Sequence, residues 1–172
     1  MPIRVSLSIP ATLLDKSEIR AKRLRAIDEL KKLIAQMGRD PDSYDYIDLA
    51  PSDLGFTNDV AEQPLSTAND YNTTVDMKVP EDRFIAIYGV ANLATKPLTT
   101  KIRFWKGTVP VKEYYIEDMY LRDEPEKFFD EVLAWKEGEI LKIEQYAKAT
   151  GTDKIVFYGI KAVPKGEIIG GK

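Results

Sequence analysis

Apolar and polar residues are patterned in different ways along this chain, and each pattern predicts a different element. Near the start, Ile3, Val5, Leu7 and Ile9 alternate with Pro2, Arg4, Ser6 and Ser8. A period of two predicts a short strand or extended arm, closed by Pro10. A helix is then expected, starting somewhere in 11–17 and running to Met37. Within it Leu24, Ile27, Leu30, Ile34 and Met37 recur at three and four residues and make one apolar stripe. Gly38 suits the position just past a helix end, and Pro41 prevents continuation.

Residues 39–82 keep no period. Pro41, Pro51, Pro64 and Pro80 interrupt the stretch, while Tyr44, Tyr46, Leu54, Phe56, Tyr71 and Val75 are spaced along it. A structureless run of this length is abnormal inside a compact domain. The apolar punctuation predicts an extended segment that wraps a surface, its own or a neighbour's.

From Phe84 onward the pattern is one of strands. Phe84 to Ala91 is apolar at almost every position, as in a central strand covered on both faces. Leu98 to Lys106 alternates, with Leu98, Thr100, Ile102 and Phe104 on one side and Lys101, Arg103 and Trp105 on the other. Further strands are expected near 111–121, 128–135, 140–149 and 154–163, separated by Gly107 to Pro110, Glu124-Pro125, Glu137-Gly138 and Thr150 to Asp153. Short strands at near-regular spacing predict a mainly β fold, an antiparallel sandwich or barrel. The expected organisation is an arm and amphipathic helix (1–39), an extended acidic segment (40–82), and a β-sandwich with a C-terminal tail (83–172).

Charge sharpens this division. The net charge of −3 conceals +5 in residues 1–39, −10 in 40–82 and +2 in 83–172. A basic helix beside an acidic segment invites pairing, within one protomer or between copies, and such complementarity fixes register more than it supplies affinity. Scarce Asn and Gln with abundant Lys and Glu match the composition of thermophilic proteins. No apolar run approaches the length of a membrane span, and the first residues lack the apolar core of a signal peptide. The expected location is therefore the cytoplasm, or a virion.

The 172 residues include no histidine and no cysteine. That removes imidazole bases and thiolate nucleophiles, and with them most metal sites and disulfides. Carboxylates remain. Asp123, Glu124, Glu126, Asp130 and Glu131 cluster around Pro125, which is read as a solvated turn rather than a hydrolytic pair. Asp40, Asp42, Asp45 and Asp48 offer oxygens, but an EF-hand needs glycine at its sixth position and glutamate at its twelfth, where this chain has Asp45 and Pro51. No cofactor, metal or small-molecule substrate is expected. Nucleic acid is disfavoured, because a polyanion would meet the acidic segment. Asn72-Thr73-Thr74 matches a glycosylation acceptor.

The aromatic residues carry more information. Trp135 alternates with Phe129 and Leu133 and is expected in the core. Trp105 points away from the core, either as a contact ring or beneath the wrapping segment. With Arg103 and Tyr114 it joins the helix residues Leu24, Ile27, Leu30, Ile34 and Met37 as candidate contact positions. Exposed Trp and Tyr anchor protein interfaces or stack on sugars.

Three segments carry a resemblance to a known group: Arg83 to Val90, Thr100 to Gly107, and the Ile140 to Val163 hairpin around Thr150 to Asp153. They resemble the jelly-roll capsid and capsid-accessory proteins of viruses. The resemblance implies a jelly-roll sandwich and a structural subunit whose partners are copies of itself or other capsid proteins. It implies no catalytic residues. The alternative expectation is a carbohydrate-binding sandwich that uses its exposed aromatics.

Overall fold

A computed structural model describes residues 9–57, 61–121 and 126–167, with side chains placed for 17–57, 61–120 and 126–167. The expected arm at residues 3–8 lies outside this range. Helix α1 (Ile9–Gln36) leads through a 3-10 turn (Pro41–Ser43) to β1 (Tyr44–Asp48). A second 3-10 turn (Pro51–Leu54) precedes β2 (Glu62–Leu65), β3 (Asp70–Lys78), β4 (Phe84–Asn92), β5 (Thr99–Lys106) and β6 (Val109–Tyr115). A short helix α2 (Glu117–Leu121) is followed by β7 (Glu126–Trp135), β8 (Ile140–Ala147) and β9 (Gly151–Pro164).

Two antiparallel sheets form. The first has the order β1-β9-β4-β7, with β2 also paired to β9; the second has the order β3-β8-β5-β6. From β2 to β9 every step except the β5–β6 hairpin crosses between the sheets. Eight strands in the orders β2-β9-β4-β7 and β3-β8-β5-β6 are the two interlocked Greek keys of a jelly roll. The fold is thus the mainly β, jelly-roll sandwich that the pattern and the resemblance implied. Strand β1 extends its edge.

Helix α1 makes a third layer, packed on the outer face of the first sheet against β4, β7 and β9. This explains why β4 is buried at all nine positions. Ile85, Ile87 and Val90 face the second sheet, where Ile102, Phe104, Phe129, Trp135, Leu141, Ile143 and Phe157 fill the inter-sheet core. Phe84, Ala86 and Tyr88 face the helix and meet Ala26, Leu30 and Ile34. The helix ends as its sequence suggested. Gly38 adopts φ 79°, its N–H donates to Ala35 O and the Arg39 N–H donates to Ile34 O, closing a Schellman turn.

Several expectations need correction. Pro10 sits in the first turn of α1, which begins at Ile9, ahead of the expected 11–17, and there its missing N–H costs no hydrogen bond. Residues 40–82 do not wrap a separate sandwich beginning at 83. They supply β1, β2 and β3, the strands along one side of both sheets. Their lack of period follows from that place: short strands, two 3-10 turns and a bulge between Thr73 and Val75 break the alternation. The strand expected over 111–121 stops at Tyr115, and Tyr120 lies on α2.

Candidate functional site

The two outer faces of the sandwich differ. That of the first sheet is occupied by α1. That of the second sheet carries no layer among the described residues. Its outward side chains stand in three rows across the strands. Tyr71, Tyr146, Lys101 and Tyr115 form one row, and Thr73, Glu144, Arg103 and Glu113 the next. Asp76, Lys142 and Trp105 form the third.

The rows are cross-linked. The Arg103 guanidinium lies 3.8 Å from the Tyr71 ring centroid. Its Nε is 3.1 Å from Glu113, and an Nη is 3.7 Å from Glu144. Trp105 donates its indole N–H to Glu144 at 2.7 Å, while Lys142 sits 5.1 Å over the indole. Lys101 stands 4.5 Å over Tyr146, and Tyr71 packs edge-on to Tyr146 at 5.1 Å. The Tyr71 hydroxyl donates to Glu113. That hydrogen bond is the main reason the Glu113 carboxyl is held below its ordinary range, with Arg103 adding to it. Loss of hydration chiefly raises the Tyr71 phenol, and its bond to Glu113 adds to the rise. The result is a wet aromatic surface whose side chains are already fixed.

The candidate positions divide accordingly. Trp105 and Arg103 lie on this face, as their alternation required. Trp105 is not under the 40–82 segment, whose strands pair at the sheet edges. Tyr114 is not available for contact: it points inward, is 9% exposed, and stacks on Phe129 at 3.8 Å between centroids. Burial raises its phenol. Leu30 and Ile34 are fully buried against the chain's own first sheet, with Ile27 and Met37 packed beside them. The helix stripe is therefore core, not a contact surface. Leu24 belongs to the predicted stripe yet is exposed; Ala26 takes the buried position that the pattern missed.

Lys101 was placed on this side from sequence but not as a contact position; Tyr71, Glu113, Lys142, Glu144 and Tyr146 were not placed there. Lys142, Glu144 and Tyr146 share the parity of one strand, a signal present in the alternation of β8. Tyr71 lay in the stretch without period and had no such signal.

Among the described residues no three Asp or Glu are grouped to hold a metal ion. Asp40 accepts from the Asp42 N–H at 3.0 Å, and Asp48 pairs with Arg23 at 2.8 Å. Glu126 accepts from Tyr158 at 2.7 Å, Glu131 pairs with Lys112 at 2.9 Å, and Asp123 and Glu124 lie outside the described residues. Asn72 is buried, and both atoms of its amide are bonded to the Thr67 backbone. Its burial withdraws it as a glycosylation acceptor. An open groove at one end is lined by Lys78, Val79, Pro80, Glu81, Glu137 and Gly138. Beside it Arg39 bridges Asp82 at 2.8 Å and Glu137 at 2.5 Å, tying the end of α1 to two loops. No helix among the described residues is long and apolar enough to cross a membrane.

No family model matches the chain, and no curated protein matches its sequence. Among solved structures, the chain is similar to the C-terminal CBM6, a carbohydrate-binding module, of LamC, a marine laminarinase from Zobellia galactanivorans. The identity is 10%, the match covers 69% of this chain and 99% of that one, and the TM-score is 0.30.

Proposed function

We propose that this protein is a non-catalytic structural subunit or accessory protein of a larger assembly, of the capsid kind. Its contacts run through the outer face of the second sheet. The observation that supports this reading is the face itself. Trp, Tyr and Arg are the residues that dominate the energetics of protein interfaces. Here Trp105, Tyr71, Tyr146, Tyr115 and Arg103 are gathered on one surface that none of the described residues covers, and most are held by cross-strand bonds before any partner arrives. Prior ordering lowers the entropic cost of docking.

The second reading is a glycan-binding module, favoured by the same rings. A sugar stacks on a free ring face, whereas Tyr71, Tyr146 and Trp105 each already carry a cation. That ranks protein contact first. Glycan arrays probed with the wild type and with Trp105→Ala test the ranking. The assembly reading expects no glycan binding that depends on Trp105. Binding lost on that substitution would overturn it.

A further inference from the structure

The uncovered face is complementary to itself, and we propose that it binds a second copy of this chain across a two-fold axis. The proposal rests on the assembly reading above and names the partner. It comes from register. On the central strands β5 and β8 the outward residues stand side by side: Lys101 beside Tyr146, Arg103 beside Glu144, Trp105 beside Lys142. Every one of these rows joins two groups that attract each other, cation to ring or cation to carboxylate.

A two-fold axis lying in the interface, parallel to the strands and midway between β5 and β8, preserves the rows. It places β8 of one copy over β5 of the other. Glu144 then faces the partner's Arg103, Lys142 faces the partner's Trp105, and Tyr146 faces the partner's Lys101. Each of these contacts occurs twice, as in any isologous interface. On the flanking strands Tyr71 faces the partner's Tyr115 and Thr73 faces the partner's Glu113. An in-plane axis perpendicular to the strands fails, because it sets each strand over its own copy. Arg103 would meet the partner's Arg103 and Glu144 the partner's Glu144.

Three of the four sheet edges are guarded against pairing. Edge strand β6 carries Pro110, and β3 is broken by its bulge. In β7 residues 129–132 bulge out opposite Tyr88, and α1 meets the exposed carbonyls there. Lys22 donates to Phe129 O at 2.5 Å and Arg25 to Asp130 O at 3.5 Å. Such devices prevent edge-to-edge pairing. Four strands about 4.8 Å apart and roughly eight residues long give a face of about 500 Å² per copy. About 1,000 Å² in total is the lower end for a specific interface, so the dimer is concentration-dependent rather than permanent.

Sedimentation velocity on the full chain at rising concentration tests this, with circular dichroism to verify the fold of each variant. The wild type is expected to pass from monomer to dimer. Arg103→Glu sets carboxylate against the partner's Glu144, and Glu144→Arg sets guanidinium against the partner's Arg103. Each variant alone is expected to weaken dimerisation at least about tenfold. Mixed one to one, the two variants are expected to form a heterodimer, because every central contact then joins one carboxylate to one guanidinium. Repair within a chain cannot produce that recovery, since each variant keeps its own like-charged row. If either variant fails to fold, Lys142→Glu, which meets the partner's Trp105, replaces it, with loss of the dimer expected.

A wild type that stays monomeric at its highest soluble concentration overturns the proposal. So does a dimer that these substitutions leave intact, or a mixture of folded variants that does not associate. None of these results decides the assembly reading, which falls instead to glycan binding that requires Trp105.

Discussion

Truncating one helix side chain separates a helix that belongs to the fold from one that merely rides on it. Leu30 is fully buried between α1 and the first sheet, in the cluster with Ala26, Ile34, Phe84, Tyr88 and Ile160. Leu30→Ala removes three carbon atoms, about 2.4 kcal/mol of transfer free energy at about 0.8 per group. The cavity left behind adds to this, for a total of about 3 kcal/mol. In a domain of this size that lowers Tm by roughly 6–12 °C. The assay is urea unfolding followed by tryptophan fluorescence, which reads only the sandwich, because Trp105 and Trp135 lie in β5 and β7. If the helix layer and the sandwich unfold together, the fluorescence midpoint moves. Leu24→Ala, at a position 55% exposed, is the matched control and is expected to change stability by less than about 0.5 kcal/mol. A fluorescence midpoint unchanged by Leu30→Ala would refute the three-layer reasoning and restore the helix stripe as a surface open to partners.

Three further outcomes follow from local geometry. A methyl group added at Gly159 would lie 2.3 Å from Ala86 O, a backbone atom, so Gly159→Ala must part β9 from β4 and is expected to cost about 3 kcal/mol in urea unfolding. Asp153 is fully buried and accepts from Leu98 N at 3.0 Å, Thr99 N at 2.8 Å, Thr99 Oγ1 at 2.6 Å and Asn92 Nδ2 at 3.1 Å. Asp153→Ala strands these donors, and the expected result is about 3 kcal/mol of lost stability with faster hydrogen exchange at Leu98 and Thr99. Burial raises the phenols of Tyr114, Tyr120 and Tyr158 and pushes Tyr46 up to about 12. A folded pKa above the unfolded one adds stability that is complete below about pH 10 and is lost as pH climbs toward the folded value. Phenolate absorbance is therefore expected to rise late and together with unfolding; a smooth titration centred near pH 10 with the fold intact would contradict this.

What the sequence displays depends on how many neighbours set each residue's environment. Phe84 to Asn92 is legible because a strand covered on both faces must be apolar throughout. The outward path of Lys101, Arg103 and Trp105 is legible because β5 has one wet face and one dry face. The helix was visible but its use was not: a stripe of Leu30 and Ile34 looks the same whether it meets its own sheet or another molecule. Leu24 shows the limit of a stripe drawn by residue type, since the helix rolls toward Ala26 and Ile34 to fit β4 and β9. Strands β1 to β3 were hidden because a strand defined by one neighbour keeps only fragments of alternation. Tyr71 reaches Glu113 from the far edge of the sheet, a contact that no spacing along the chain encodes.

The charge blocks acquire a physical sense from this arrangement. The acidic stretch lies in the edge strands and turns along one side, next to the basic helix, and two of its carboxylates are stitched to that block: Asp48 to Arg23 and Asp82 to Arg39. Exposed pairs of this kind contribute little stability one by one, but they orient α1 across the first sheet. Once oriented, α1 covers Phe84, Ala86, Tyr88 and Ile160, side chains that would otherwise form an apolar patch too large for water to tolerate. The second sheet needs no such cover. Its outward rings are interleaved with Lys101, Arg103, Lys142, Glu113 and Glu144, so the face is stable in solvent and still rich in aromatic surface. A face with that balance suits contacts that form and release, which is what the proposed assembly role asks of it.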